Sequence, residues 1–115
     1  MKKTKMLKKN YEFRKVLSKG KYYSGKYIET FILGNKRNSN YLGIAISTKV
    51  GKAVKRNKIK RLIRENYYKY ENNIKDGQSI VILWKKQQSI ENATFKNIEN
   101  DIIKILDKAK ILIEE

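Results

Sequence analysis

Residues 42–64 read Leu-Gly-Ile-Ala-Ile-Ser-Thr-Lys-Val-Gly-Lys-Ala-Val-Lys-Arg-Asn-Lys-Ile-Lys-Arg-Leu-Ile-Arg. Leu42, Ile44 and Ile46 alternate with Gly43, Ala45 and Ser47, the period-two pattern of a strand with one buried face. Gly51 breaks that pattern, and helical periodicity begins near Val54 and runs to about Tyr70. On a wheel of 100° per residue, Ile59, Leu62, Ile63, Tyr67 and Tyr70 share one arc, the face that must meet a sheet. A strand feeding an amphipathic helix of this kind predicts a mixed α+β fold.

Working outward, Asn10 is a predicted N-cap, and Phe13, Val16 and Leu17 then share one helical face. Gly20 should end that helix at about Lys19. From Tyr22 to Leu33 the aromatic and β-branched content favours a strand, and the polar turn at 35–40 should join it to the strand at 42–46 as a hairpin. Asp76-Gly77 marks a turn, and Ser79 to Trp84 reads as a buried strand. Beyond Thr94, the spacing of Phe95, Ile98, Ile102, Leu106 and Ala109 predicts a long amphipathic helix. The expected architecture is a two-layer α+β sandwich on a small central sheet of about four strands. No linker or repeat divides the chain, so residues 1–115 are expected to form a single domain, with residues 1–8 a flexible basic arm.

The 115 residues carry 28 Lys+Arg against 11 Asp+Glu, a formal net charge of +17. With no cysteine and no histidine, disulfides, thiolate metal sites, imidazole bases and thiol nucleophiles are all excluded. An excess of positive charge this dense repels itself and points to a polyanionic partner, nucleic acid first and an anionic membrane surface second. The longest uninterrupted apolar run, Ile80 to Trp84, is far short of a membrane span, and no apolar segment follows the basic N-terminus. A soluble, cytoplasmic protein is expected.

Eight of the sixteen residues at 49–64 are basic and none is acidic. Arg56, Lys60 and Arg64 form one i, i+4, i+8 row, Asn57 and Arg61 form the next, and Lys58 adds to the charge. Such like-charge neighbours cost an isolated helix a few tenths of a kcal/mol per pair. A merely solvated helix face normally intersperses Glu among its cations, whereas a bound anion would relieve the repulsion. Arg suits phosphate because its planar fork can hold two oxygens. Lys49 and Lys52 stand just before the helix, where backbone N–H groups also face outward. Phe13 and Phe31, with Tyr22, Tyr23 and Tyr27 nearby, could provide stacking surfaces for single-stranded RNA or could be ordinary core aromatics.

Two enzyme signatures fail. Gly20-Lys-Tyr-Tyr-Ser-Gly-Lys-Tyr27 matches a phosphate loop except at its last position, where Tyr cannot replace the Ser or Thr hydroxyl that binds Mg²⁺. The acids are scattered, and Glu99 and Asp101, two apart on a predicted helix, diverge. No catalytic or metal-ligating residue is therefore assigned to this chain.

The stretch 43–65, with its Lys49-Val-Gly-Lys-Ala-Val54 turn followed by Arg56-Asn57-Lys58, Lys60-Arg61 and Arg64, resembles the central motif of the bacterial ribonuclease P protein family. Leu7-Lys-Lys-Asn10 followed by Phe13, Val16 and Gly20 is also similar to that family, and the likeness spans roughly residues 6–110. It implies the small protein of a ribonucleoprotein that removes the 5′ leader from precursor tRNA, with the catalytic centre and most of the Mg²⁺ held by the RNA subunit. The implied fold order is α-β-β-β-α-β-α with a left-handed crossover. Carried over by position, Lys49, Lys52, Arg56, Asn57, Lys58, Lys60, Arg61 and Arg64 would meet RNA, and Phe13, Leu17 and Phe31 would line a cleft for the single-stranded leader. Leu17 replaces a common second Phe, and Lys58 replaces the commoner Arg of an Arg-Asn-Arg core, keeping its charge but losing the bidentate fork.

Two other readings fit the composition. A structural RNA-binding protein, such as a ribosomal protein, shares the size and charge but not the motif around Arg56-Asn57. A membrane-surface binder would use the helix at 94–113, whose polar face mixes acids with lysines instead of presenting a basic sheet.

Overall fold

Alternation along three neighbouring strands divides the molecule into two faces of one sheet. A computed structural model describes residues 4–113. Its strands are β1 (Lys5–Met6), β2 (Lys21–Ser24), β3 (Ile28–Gly34), β4 (Tyr41–Ala45) and β5 (Gln78–Trp84), and its helices are α1 (Asn10–Lys19), α2 (Ala53–Tyr70) and α3 (Phe95–Lys108). The strands lie in the order β1-β4-β5-β3-β2. β3 runs antiparallel to both β2 and β5, whereas β4 runs parallel to both β1 and β5. α2 is the crossover that makes β4 and β5 parallel neighbours.

Ile28 and Ile32 of β3, Leu42 and Ile44 of β4, and Ile80, Ile82 and Trp84 of β5 point to one side. There they pack with Ile59, Ile63 and Tyr67 of α2 and Ile98, Ile102, Ile105 and Leu106 of α3. Ile59 and Ile63 are fully buried, each contributing about 1.5–3 kcal/mol over an exposed position. Gly43, Phe31 and Val81 point to the other side, which α1 covers only in part. The layers are therefore α1, sheet, and α2 with α3, so the expected two-layer sandwich gains a partial third layer.

The α+β class and the helix–strand order hold, with five strands in place of about four. Three local expectations change. The predicted hairpin does not form: β5 inserts between β3 and β4, because β4 returns through α2 instead of pairing with its chain neighbour. The single strand expected over 22–33 is broken at Gly25–Tyr27, where buried Asp101 of α3 accepts the backbone N–H groups of Lys26, Tyr27 and Ile28 at 3.0, 2.7 and 3.1 Å. The N-cap of α1 is Lys9, not Asn10, and no side chain caps it.

Gly20 does end α1, but at φ −73° it is not left-handed. A Cβ there would lie 2.4 Å from the Val16 carbonyl oxygen, so close approach is what requires glycine. The basic arm expected over 1–8 is docked from Thr4 onward. Lys5 and Met6 pair with Tyr41 and Leu42, while Thr4 donates its N–H to Glu71 and shares a hydroxyl bond with Tyr67. Residues 1–3 of that arm lie outside the described residues. No described helix is long and apolar enough to cross a membrane.

Candidate nucleic-acid interface

The basic helix owes its orientation to the core. Burial of Ile59, Ile63, Asn66 and Tyr67 against the sheet turns the opposite side of α2 to solvent. Lys52, Asn57, Lys58, Arg61 and Arg64 are exposed there, as is Lys49 before the helix, and Arg56 and Lys60 are half-buried beside the apolar arc. The first turn holds no acid and no side chain caps the N-terminus. Cations at that positive end of the helix dipole are unfavourable until an anion arrives. Two of the cations are partly engaged: Arg56 donates from Nη1 to the Gly51 carbonyl at 2.7 Å, and Arg61 Nε lies 3.8 Å from Glu65. The first of these ties the helix to its leading loop, and the second is a solvent-exposed pair of small energetic weight.

The half-covered face of the sheet forms the second part of the site. Phe31, Val81 and Gly43 are neighbours across β3, β5 and β4. α1 lies over this row: a Cβ on Gly43 would meet the Phe13 ring at 2.5 Å, so the glycine is what lets the ring settle on the strand. Leu17 lies one turn further along the same side of α1, half-buried like Phe13 and Phe31. Tyr22 packs its ring 5.1 Å from that of Phe31. The next row, Glu29, Leu83 and Ala45, is left uncovered. With Ile46, Ser47, Lys86 and Gln87 it lines an open cleft of about 500 Å³.

The two parts are continuous through the chain. β4 ends at Ala45 in the cleft wall, and Ser47 accepts the Lys49 N–H to start a 3-10 turn over Thr48–Val50. Lys52 follows as the N-cap of α2. Lys49 and Lys52 thus stand between cleft and helix, while Arg64 lies about 12 Å beyond Arg56 along the axis. The aromatic residues and the far end of the basic row do not converge on one point; they form an extended path. Tyr23 and Tyr27 belong elsewhere, since both pack on the core side, Tyr27 stacked 6.0 Å from Trp84.

Sequence reasoning passed over Glu29, whose in-phase spacing with Phe31 on a predicted strand was the available signal. Among the described residues no group of three or more metal-ligating side chains gathers. Glu99 and Asp101 have structural partners: Glu99 accepts from Lys69 and Tyr70, and Asp101 closes the β2–β3 turn.

Comparison with known proteins gives one answer. The Ribonuclease P family profile matches residues 1–110. The ribonuclease P protein component of Clostridioides difficile is 41% identical over 111 residues, covering 96% of each chain. That of Fusobacterium nucleatum is 40% identical over 108 residues, covering 92% of this chain and 97% of its own. Among solved structures, the ribonuclease P protein of Staphylococcus aureus superposes with a TM-score of 0.82 at 31% identity, covering 93% of this chain and 96% of that one. The Thermotoga maritima protein gives 0.80 at 26% identity, covering 96% and 99%. The strand-turn-helix at 42–64, the fold built around it and these likenesses agree: the chain belongs to the ribonuclease P protein family.

Proposed function

We propose that this protein is the RNA-binding subunit of a cytoplasmic ribonuclease P, acting by binding while the partner RNA performs the cleavage. The exposed face of α2, with Lys49 and Lys52 at its head, meets phosphates of the catalytic RNA. The single-stranded 5′ leader of precursor tRNA runs over the open sheet beside α1, against Phe13, Leu17 and Phe31. Positive charge lowers the repulsion between two RNAs, so the Mg²⁺ that the catalytic RNA holds is effective at lower concentration. Mg²⁺ held by that RNA would activate the attacking water and stabilise charge on the leaving oxygen; this chain positions substrate and screens charge.

The observation that carries this reading is the continuity of the open cleft, which adjoins the half-covered Phe31 row, with an uncapped, acid-free helix start. Stacking of a base on an aromatic ring contributes about 1–3 kcal/mol, enough to give leader-bearing substrate an affinity advantage. The test compares binding of precursor and leaderless tRNA to the assembled RNA–protein complex. Wild type should favour the precursor, and Phe31→Ala should reduce that preference about tenfold. An unchanged preference in both Phe13→Ala and Phe31→Ala would place the leader elsewhere.

A further inference from the structure

The uncovered sheet row holds an acid in a protein of net charge +17. Glu29 shares a face of β3 with Phe31, about 7 Å along the strand. Among the described residues it is the only acid lining the cleft, which it shares with Ala45, Leu83 and Lys86. A carboxylate there repels any phosphate that enters, so a leader can lie in the cleft only with its backbone turned toward the basic rim and its bases inward. The carboxylate is also held in place: Tyr22 Oη donates to Glu29 Oε2 at 2.7 Å. The same tyrosine lays its ring 5.1 Å from Phe31, so one side chain couples the aromatic surface to the acid. Oε1 of Glu29 has no hydrogen-bond partner among the described residues.

We infer that Glu29 reads the edge of a leader base stacked on Phe31, accepting a hydrogen bond from the exocyclic amine of adenine or cytosine. This rests on the leader path proposed above. An ionised carboxylate can only accept. At the exocyclic position adenine N6 and cytosine N4 donate, whereas uracil presents its O4 lone pairs there and donates only from N3–H, one atom further round the ring.

The experiment measures binding of precursor tRNAs carrying A, C or U at each leader position in turn to the complex of this protein with its catalytic RNA. At one position A or C should bind about tenfold more tightly than U. Glu29→Gln offers both a donor and an acceptor, so it should bring the ratio to within about twofold while overall affinity holds or rises. Tyr22→Phe keeps the carboxylate but releases it, and should lower the ratio without abolishing it. If Glu29→Gln strengthens every leader equally and leaves the ratio unchanged, Glu29 only repels and the inference falls. If no position discriminates while Phe31→Ala still weakens the leader-bearing substrate, base reading fails and the leader path stands. If Phe31→Ala leaves leader preference untouched, the leader path fails and takes the inference with it.

Discussion

Raising the salt concentration should weaken the complex with catalytic RNA by an amount that the structure sets. Eight cations lie on or just before α2: Lys49, Lys52, Lys55, Arg56, Lys58, Lys60, Arg61 and Arg64. Arg61 faces Glu65, Lys58 lies off the Arg56–Lys60–Arg64 row and Lys55 lies one turn before Ile59 on its side of the helix, which leaves about five to meet one RNA surface. Each phosphate neutralised contributes about −0.7 to −0.9 to the slope of log K against log salt, so the slope should be about −3.5 to −4.5. Between 50 and 200 mM salt that is a loss of roughly two to three powers of ten. Arg64→Ala should make the slope shallower by about 0.7–0.9, and Glu65→Gln, which frees Arg61, should steepen it by a similar amount. Titrating labelled catalytic RNA with protein at several salt concentrations, read by fluorescence anisotropy, gives all three slopes. A wild-type slope shallower than about −2, or an Arg64→Ala slope equal to that of wild type, would refute the assignment of α2 as the main phosphate-binding face.

Three further outcomes concern the scaffold. Gly43→Ala would place a methyl 2.5 Å from the Phe13 ring and 3.1 Å from Leu7, displacing α1. It should cost about 1–3 kcal/mol in urea unfolding and weaken leader binding; no change in either would mean that Phe13 does not rest on the strand. Asp101→Ala strips the acceptor from three backbone N–H groups. Because water can reach the exposed Lys26 side of the turn, the loss should be about 3 kcal/mol, and an unmoved urea midpoint would contradict it. The buried Tyr67 phenol is pushed up to about 12 by desolvation, partly offset by its bond with Thr4. Its folded pKa lies above the unfolded value near 10, so its stabilisation is complete below about pH 10 and is lost as pH rises toward 12. Wild type should therefore lose about 2–3 kcal/mol more than Tyr67→Phe between pH 9 and 12, and parallel stability curves for the two would overturn this.

Much of the fold was legible because helices and buried strands carry their own periodicity. The helix expected over 54–70 spans Ala53–Tyr70, and the C-terminal helix starts at the Thr94 cap as its spacing implied. Pairing was not legible. Alternation in Leu42–Ile46 reports which face is buried but says nothing of the partner, and β4 finds both neighbours through long-range parallel pairing. β1 has two exposed residues, Lys5 and Met6, and so carries no pattern at all. Nor does sequence show that Asp101 reaches across from α3 to cap a turn some 75 residues earlier. In the interface, the charge rows on α2 followed from the wheel because the apolar arc fixes its rotation. The cleft depends on how far α1 extends over the sheet, which no local pattern encodes. Glu29 is in phase with Phe31 along its strand, but a single acid beside an aromatic becomes informative only once the sheet rows are known.

The central claim is that this chain makes a catalytic RNA effective by binding, and cleavage of precursor tRNA at low millimolar Mg²⁺ tests it most directly. The ribonuclease P RNA of the same organism is assayed alone, with this protein, and with Arg64→Ala. The account predicts little cleavage by the RNA alone, correct 5′ maturation when the protein is added, and weaker rescue by Arg64→Ala. Tight RNA binding without any rescue would contradict it and leave a basic RNA-binding domain with no part in leader removal.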